Sequence, residues 1–178
     1  MTVSCDLDAA AISLRDATAA DLPFLLELFA SVRTPELAAS GWTEAEKRTF
    51  CDRQYALQDR HYREHFAGAR CLVVQAGSTP VGRLYRAAVG DNLYVLDIAL
   101  VSQARGQGIG ATLMRDLCAE ADRGGLTTIL HVEPANPAKR LYERLGFVAG
   151  ATAGVYCEMR RAPTRAEPRP DERVNAGG

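Results

Sequence analysis

Residues 97–110 read Asp-Ile-Ala-Leu-Val-Ser-Gln-Ala-Arg-Gly-Gln-Gly-Ile-Gly, an apolar strand that passes into a glycine-rich loop and then opens a helix. Gly106, Gly108 and Gly110 bare the backbone N–H groups around Gln107 and Ile109, and the helix sets its positive end beneath them. Such a turn is a cradle for phosphate oxygens. Arg105 adds a fixed cation at its lip. The chain must therefore build a strand–loop–helix unit, and that unit points to a phosphorylated cofactor.

Two cofactor classes compete for the loop. Gly106, Gly108 and Ala111 fit the relaxed dinucleotide pattern G-x-G-x-x-A. A dinucleotide fold needs several βα units after its glycine loop, yet fewer than eighty residues follow here. Its ribose-reading acid should stand about 20 positions on, and Glu133 lies too late. Coenzyme A is the other class. Arg105-x-x-Gly108-x-Gly110 after a strand over 93–101 resembles the pyrophosphate signature of the GNAT acetyltransferase superfamily. A second block, 129–147, is similar to that superfamily's next strand and helix. In it Asn136 follows the strand, and Tyr142 stands four residues before the pair Gly146-Phe147. The spacing from Asn136 to Tyr142 is one residue shorter than in many relatives. The resemblance covers about residues 11–160.

Local patterns predict the same fold class, a single-domain mixed α/β structure over residues 1–161. Its element order is β-α-α-β-β-β-α-β-α-β, and the resemblance implies a mostly antiparallel central sheet flanked by helices. A first strand is expected over 11–15. Thr18 and Asp21 signal a helix start, followed by Leu22, Leu25, Leu26, Phe29 and Val32 on one face, with a loop from Pro35 to Gly41. Thr43 and Glu46 form a capping box for a long polar helix to about His65. Strands follow over 71–75, 81–88 and 93–101. The helix after Gly108 carries Ile109, Leu113, Leu117 and Ala121 as its core stripe. A strand over 127–132, a helix over 136–145 closed by Gly146, and a last strand over 153–159 complete the domain. Residues 162–178, with three prolines among charges, read as a disordered tail.

Net charge is −1, so no basic field draws nucleic acid or anionic lipid. No stretch approaches the ~20 apolar residues of a membrane span. The five cysteines form no C-x-x-C pair, which argues against a zinc ribbon or disulfide framework and suits a reducing cytosol. Asp6 and Asp8 interrupt the N-terminal segment, so no signal peptide is expected there. His61 and His65 lack a third ligand in the pattern and read as a solvated face. No metal is expected.

The resemblance implies acetyl-CoA as the acetyl donor, held by the loop 105–111 and by the backbone of Ile98, Ala99, Leu100 and Val101, where two strands splay after a bulge. An extended, amide-rich pantetheine arm pairs with such a free edge as a strand would. Asn136 is expected on that arm, or as a plain N-cap. Acetyl transfer then needs a neutral amine and a proton for the leaving thiolate. An alkylamine of pKa about 10.4 is neutral in only roughly one part in 2,500 at pH 7. A base in the cleft relieves part of that handicap. His131 is a candidate of the right chemical type, and alternation puts it on the same side as Glu133; Asp97, Glu133 and a water chain are rivals. Tyr142 is expected to protonate the thiolate, its alternative being a ring packed on the sheet. Glu36, Trp42 and Asp97 are expected on the acceptor side, although Trp42 equally suits packing under its loop.

These residues predict an N-acetyltransferase that attacks directly in a ternary complex, with no cysteine placed for an acyl-enzyme. The acceptor expected is a primary amine of a small molecule, with a protein N-terminus or lysine as the alternative. Glu36 hints at a cationic one. A homodimer is left open. The rival class is a coenzyme A-binding module without catalysis, which need not keep Tyr142.

Overall fold

The computed structural model describes residues 11–164. One sheet of seven strands runs in the order β1-β2-β3-β4-β5-β7-β6. Its strands are β1 (Ile12–Asp16), β2 (Arg70–Ala76), β3 (Thr79–Val89), β4 (Asn92–Leu100), β5 (Thr127–Val132), β6 (Val148–Ala153) and β7 (Tyr156–Arg161). Every neighbouring pair is antiparallel except β4 with β5. Helices α1 (Leu22–Leu37) and α2 (Glu44–His65) cover one face; α3 (Ile109–Gly124) covers the other, and α4 (Lys139–Arg144) follows β5.

Strand alternation explains the two faces. On β2 Leu72 and Val74 join the core beneath α3, while Cys71 joins the core beneath α1 and α2; on β3 Leu84 and Tyr85 divide the same way. The expected stripe of α3, Ile109, Leu113, Leu117 and Ala121, is buried throughout, and Met114 and Cys118 widen it. Thr43 opens α2 with a reciprocal box: its hydroxyl accepts the Glu46 N–H, and the Glu46 carboxylate accepts the Thr43 N–H at 2.8 Å.

Four boundaries differ from the sequence expectation. The loop expected from Pro35 is partly helix: α1 runs through Pro35, which lacks the N–H that would bond to the Ser31 carbonyl, and ends two residues later at Leu37. The helix expected from Asn136 begins at Lys139, because the Asn136 side chain accepts the Ala138 N–H at 2.9 Å and holds a turn there. The single last strand is a hairpin of β6 and β7, turning at Gly154 with φ 61°. Residues 148–153, Val-Ala-Gly-Ala-Thr-Ala, carry no alternation that would mark a strand. The first residues of the expected tail are held, since the Thr164 N–H reaches Asp122 at 2.7 Å beside the Arg161–Asp122 pair. Residues 165–178 lie outside the described residues.

Gly82 lets β3 approach the end of β4 closely. A Cβ there would sit 2.5 Å from the Ala99 carbonyl oxygen and 2.5 Å from Leu100 Cδ2. Gly82→Ala should therefore destabilise the protein by about 1–3 kcal/mol through overpacking, read as a lower midpoint in chemical denaturation. An unchanged midpoint would contradict this packing.

Candidate active site

β4 and β5 pair only from Asn92–Thr127 to Val95–Leu130; beyond that point the strands part. The parting coincides with a bulge in β4. Tyr85 lies opposite Asp97 and Arg86 opposite Val95, which leaves Leu96 as an inserted residue. Leu93 and Val95 face the core under α3, and plain alternation would bury Asp97 there too. The inserted residue instead puts Leu96 in the core under α1 and α2 and turns Asp97 onto that same face. From α2, the Tyr62 hydroxyl donates to the Leu96 carbonyl at 3.1 Å and ties the helix to the bulge.

A cleft occupies the gap. Asp97, Ile98, His131, Val132, Asn136 and Tyr156 line both of its lobes, together with Arg33 and Gln58 from the helices. Tyr62 and Tyr142 line the inner lobe, and Glu36, Ala99 and Glu133 the outer one. Trp42 lines neither. Its indole stands edge-on to Phe50 at 5.2 Å, in a separate depression along α2. The four described cysteines, all buried, also lie outside both lobes.

Burial raises the pKa of the Tyr142 phenol, and the negative Asp97 nearby raises it further. The phenol therefore stays protonated. His131 is half-exposed on β5, with Nε2 3.7 Å from Glu158 Oε2 on β7. Arg160 holds the Glu158 carboxyl below its ordinary range, with a smaller contribution from His131. Glu36 sits 3.5 Å from Arg33 at the outer rim. Arg83, buried beneath the cleft, gives Asp97 Oδ2 two bonds of 3.0 and 2.7 Å. Arg86, three positions on, faces α3 and pairs with Glu120 instead.

The open edge of β4 is narrower than expected. The Val101 N–H donates to the Val81 carbonyl, and the Val101 carbonyl accepts from Ala104. By antiparallel alternation Ala99 also turns its backbone groups toward β3, so Ile98 and Leu100 are the residues that face the gap. Ala99 and Val101 thus leave the expected pairing set. Past the strand, Gly106 and Gly108 adopt φ 76° and 79°, and Gly108 caps α3. Among the described residues, no hydrogen bond within the protein engages the backbone N–H groups from Gly106 to Ala111. The first turn of α3 has no acidic side chain. Arg105 packs back on β4, its Nε donating to the Leu100 carbonyl at 2.9 Å. Six adjacent open N–H groups at a helix N-terminus fit a pyrophosphate.

His61 also lines the inner lobe of the cleft. His61 and His65 stack at 4.2 Å, and among the described residues no group of three or more His, Cys, Asp or Glu is placed to hold a metal ion. No helix among the described residues is long and apolar enough to cross a membrane. Sequence reasoning missed Gln58, Tyr62 and Tyr156. The spacing of four between Gln58 and Tyr62 marks one helical face, but α2 read as polar all round.

The family model "Acetyltransferase (GNAT) family" matches residues 31–147. No curated protein matches the chain in sequence. Among solved structures, the PaiA N-acetyltransferase of Thermoplasma acidophilum, in complex with coenzyme A, superposes with a TM-score of 0.65 at 20% identity, over 85% of this chain and 99% of that one. The ribosomal-protein-S18-alanine N-acetyltransferase of Escherichia coli gives 0.59 at 19%, over 89% and 98%. A spermidine N-acetyltransferase SpeG chimera from Vibrio cholerae and hSSAT gives 0.59 at 22%, over 85% and 95%.

The tie between α2 and the bulge can be tested alone. Tyr62→Phe leaves the Leu96 carbonyl without its donor and should cost about 1–3 kcal/mol in chemical denaturation. A variant as stable as the parent would show that the bond contributes nothing.

Proposed function

The chain belongs to the GNAT acetyltransferase family, which uses acetyl-CoA, and we propose that it acetylates a primary amine of a small molecule by direct attack in a ternary complex. One observation carries this reading. The open edge at Ile98 and Leu100 leads from the N–H cradle at 106–111 to a cleft that holds Asp97, His131 and Tyr142.

Acetyl-CoA supplies an activated thioester. The chain's part is to hold it, orient the amine and move two protons. The Gly106–Ala111 N–H groups take the pyrophosphate oxygens, with Arg105 beside them. Ile98 and the Leu100 N–H pair with the pantetheine arm as a strand edge would, the Leu100 carbonyl already accepting from Arg105. Asn136 spends its side-chain oxygen on Ala138, so its amide N–H groups are the part that turns to the arm. Asp97 accepts a hydrogen bond from the incoming amine, and His131, beside Glu158, takes its proton. Tyr142 gives its phenolic proton to the sulfur as the C–S bond breaks, and the phenolate then recovers a proton from solvent. Asp97 and Glu133 at the outer lobe favour a cationic acceptor, Glu36 being paired with Arg33. Trp42 is not part of this acceptor surface.

A thiol-release assay with acetyl-CoA and a panel of amines, amino acids and peptides tests the reading. Turnover with a small amine is expected; coenzyme A binding with no thiol released from any acceptor would overturn it. Tyr142→Phe should lower kcat by about 10²-fold or more while coenzyme A affinity changes little. An unchanged kcat would remove that role. His131→Ala should lose the acidic limb of the pH–rate profile, and a variant that keeps the parent's limb would exclude His131 as the base.

A further inference from the structure

Arg83 is 2% exposed, yet it carries a full charge under the sheet face that bears the cleft. Its guanidinium lies over the rings of Phe29, Tyr55 and Tyr85 at 5.8, 5.4 and 5.3 Å. Nη1 is buried with no hydrogen-bond partner. A buried ion pair is commonly no more stabilising than apolar side chains of similar volume. An aromatic cage of this kind would suit a methionine well. Stability therefore does not explain why an arginine stands here. Its bonds do: Nε and Nη2 both reach Asp97 Oδ2, and Gln58 Oε1 braces Nη2 from α2 at 3.1 Å.

The register explains the reach. Arg83 lies opposite Ala99, so Asp97 is its diagonal neighbour across the β3–β4 pair, on the same face because of the bulge. With Oδ2 taken from beneath, Oδ1 has no protein partner among the described residues, and Asp97 lines both lobes. We infer that Arg83 is a positioning residue for the acceptor, fixing the Asp97 carboxylate so that Oδ1 receives an N–H of the incoming amine. This inference rests on the acetyltransferase reading above. A planar fork is needed for the task; a lysine ammonium offers one point charge and no fixed direction.

A double-mutant cycle tests it, measured as kcat/KM for the best amine of the panel. Arg83→Met and Asp97→Asn should each lower kcat/KM about 10²-fold, the loss that misplacing a reacting group by about 1 Å produces. The KM for acetyl-CoA should stay within about threefold, and the double variant should be within about threefold of the worse single variant. If Arg83 merely holds the core, Arg83→Met lowers kcat/KM by the same factor in the Asp97→Asn background, and the inference is overturned. Should Arg83→Met fail to fold, Arg83→Lys keeps the charge, loses the fork and carries the same cycle. A parent chain that turns over no amine overturns the acetyltransferase reading and this role with it, an outcome distinct from an additive cycle in an active enzyme.

Discussion

The inserted residue at Leu96 is the constraint on which the rest of this structure depends. It reverses the face to which β4 sends its side chains, and it coincides with the end of pairing between β4 and β5. A sheet without it would run Leu93, Val95 and Asp97 into one apolar core, with a charge where none can be held. With it, Asp97 meets Arg83 on the cleft side, Leu96 completes the core under α1 and α2, and a strand edge is left open. Tyr62 then joins α2 to the same point. Backbone, acceptor side and helix packing thus meet within two residues.

The two faces of the sheet divide labour accordingly. Under α3 the core is almost wholly apolar, and Arg86 closes its margin by pairing with Glu120. Under α1 and α2 the core is mixed. Tyr85, hydrogen-bonded to Asp59, and Tyr55 surround the charged Arg83, and burial raises the pKa of both phenols. Buried polar groups held by several partners resist rearrangement, which suits the wall of a site better than a soft apolar packing would. The glycine loop lies at the far end of β4, past Leu100, on the α3 side of the same strand.

Much of this was legible in residue patterns. The α3 stripe, the Thr43–Glu46 box and the loop after the fourth strand each depend on local chemistry, and each lies where its pattern puts it. The opposite fates of Arg83 and Arg86 emerged only in the structure, where their odd separation on β3 sends one to Asp97 and the other to Glu120. A bulge was expected from the resemblance, but its position was not legible locally, because nothing around Leu96 announces an inserted residue and pairing with β3 places it. The backbone roles of Ala99 and Val101 followed from the same missing register. β6 lacked alternation, and Trp42 depended on how far α1 would run. Those misses share one cause: they are decided by partners distant in sequence.

Amide hydrogen exchange with and without coenzyme A tests the central claim most directly, because it reads the strand edge and the glycine loop in one experiment. Slower exchange at Ile98, Leu100 and the run from Gly106 to Ala111 is the predicted result, with the amides of Ala99 and Val101, already bonded to β3, changing little. Coenzyme A that binds while leaving exchange at Ile98, Leu100 and the loop unaltered would contradict the account.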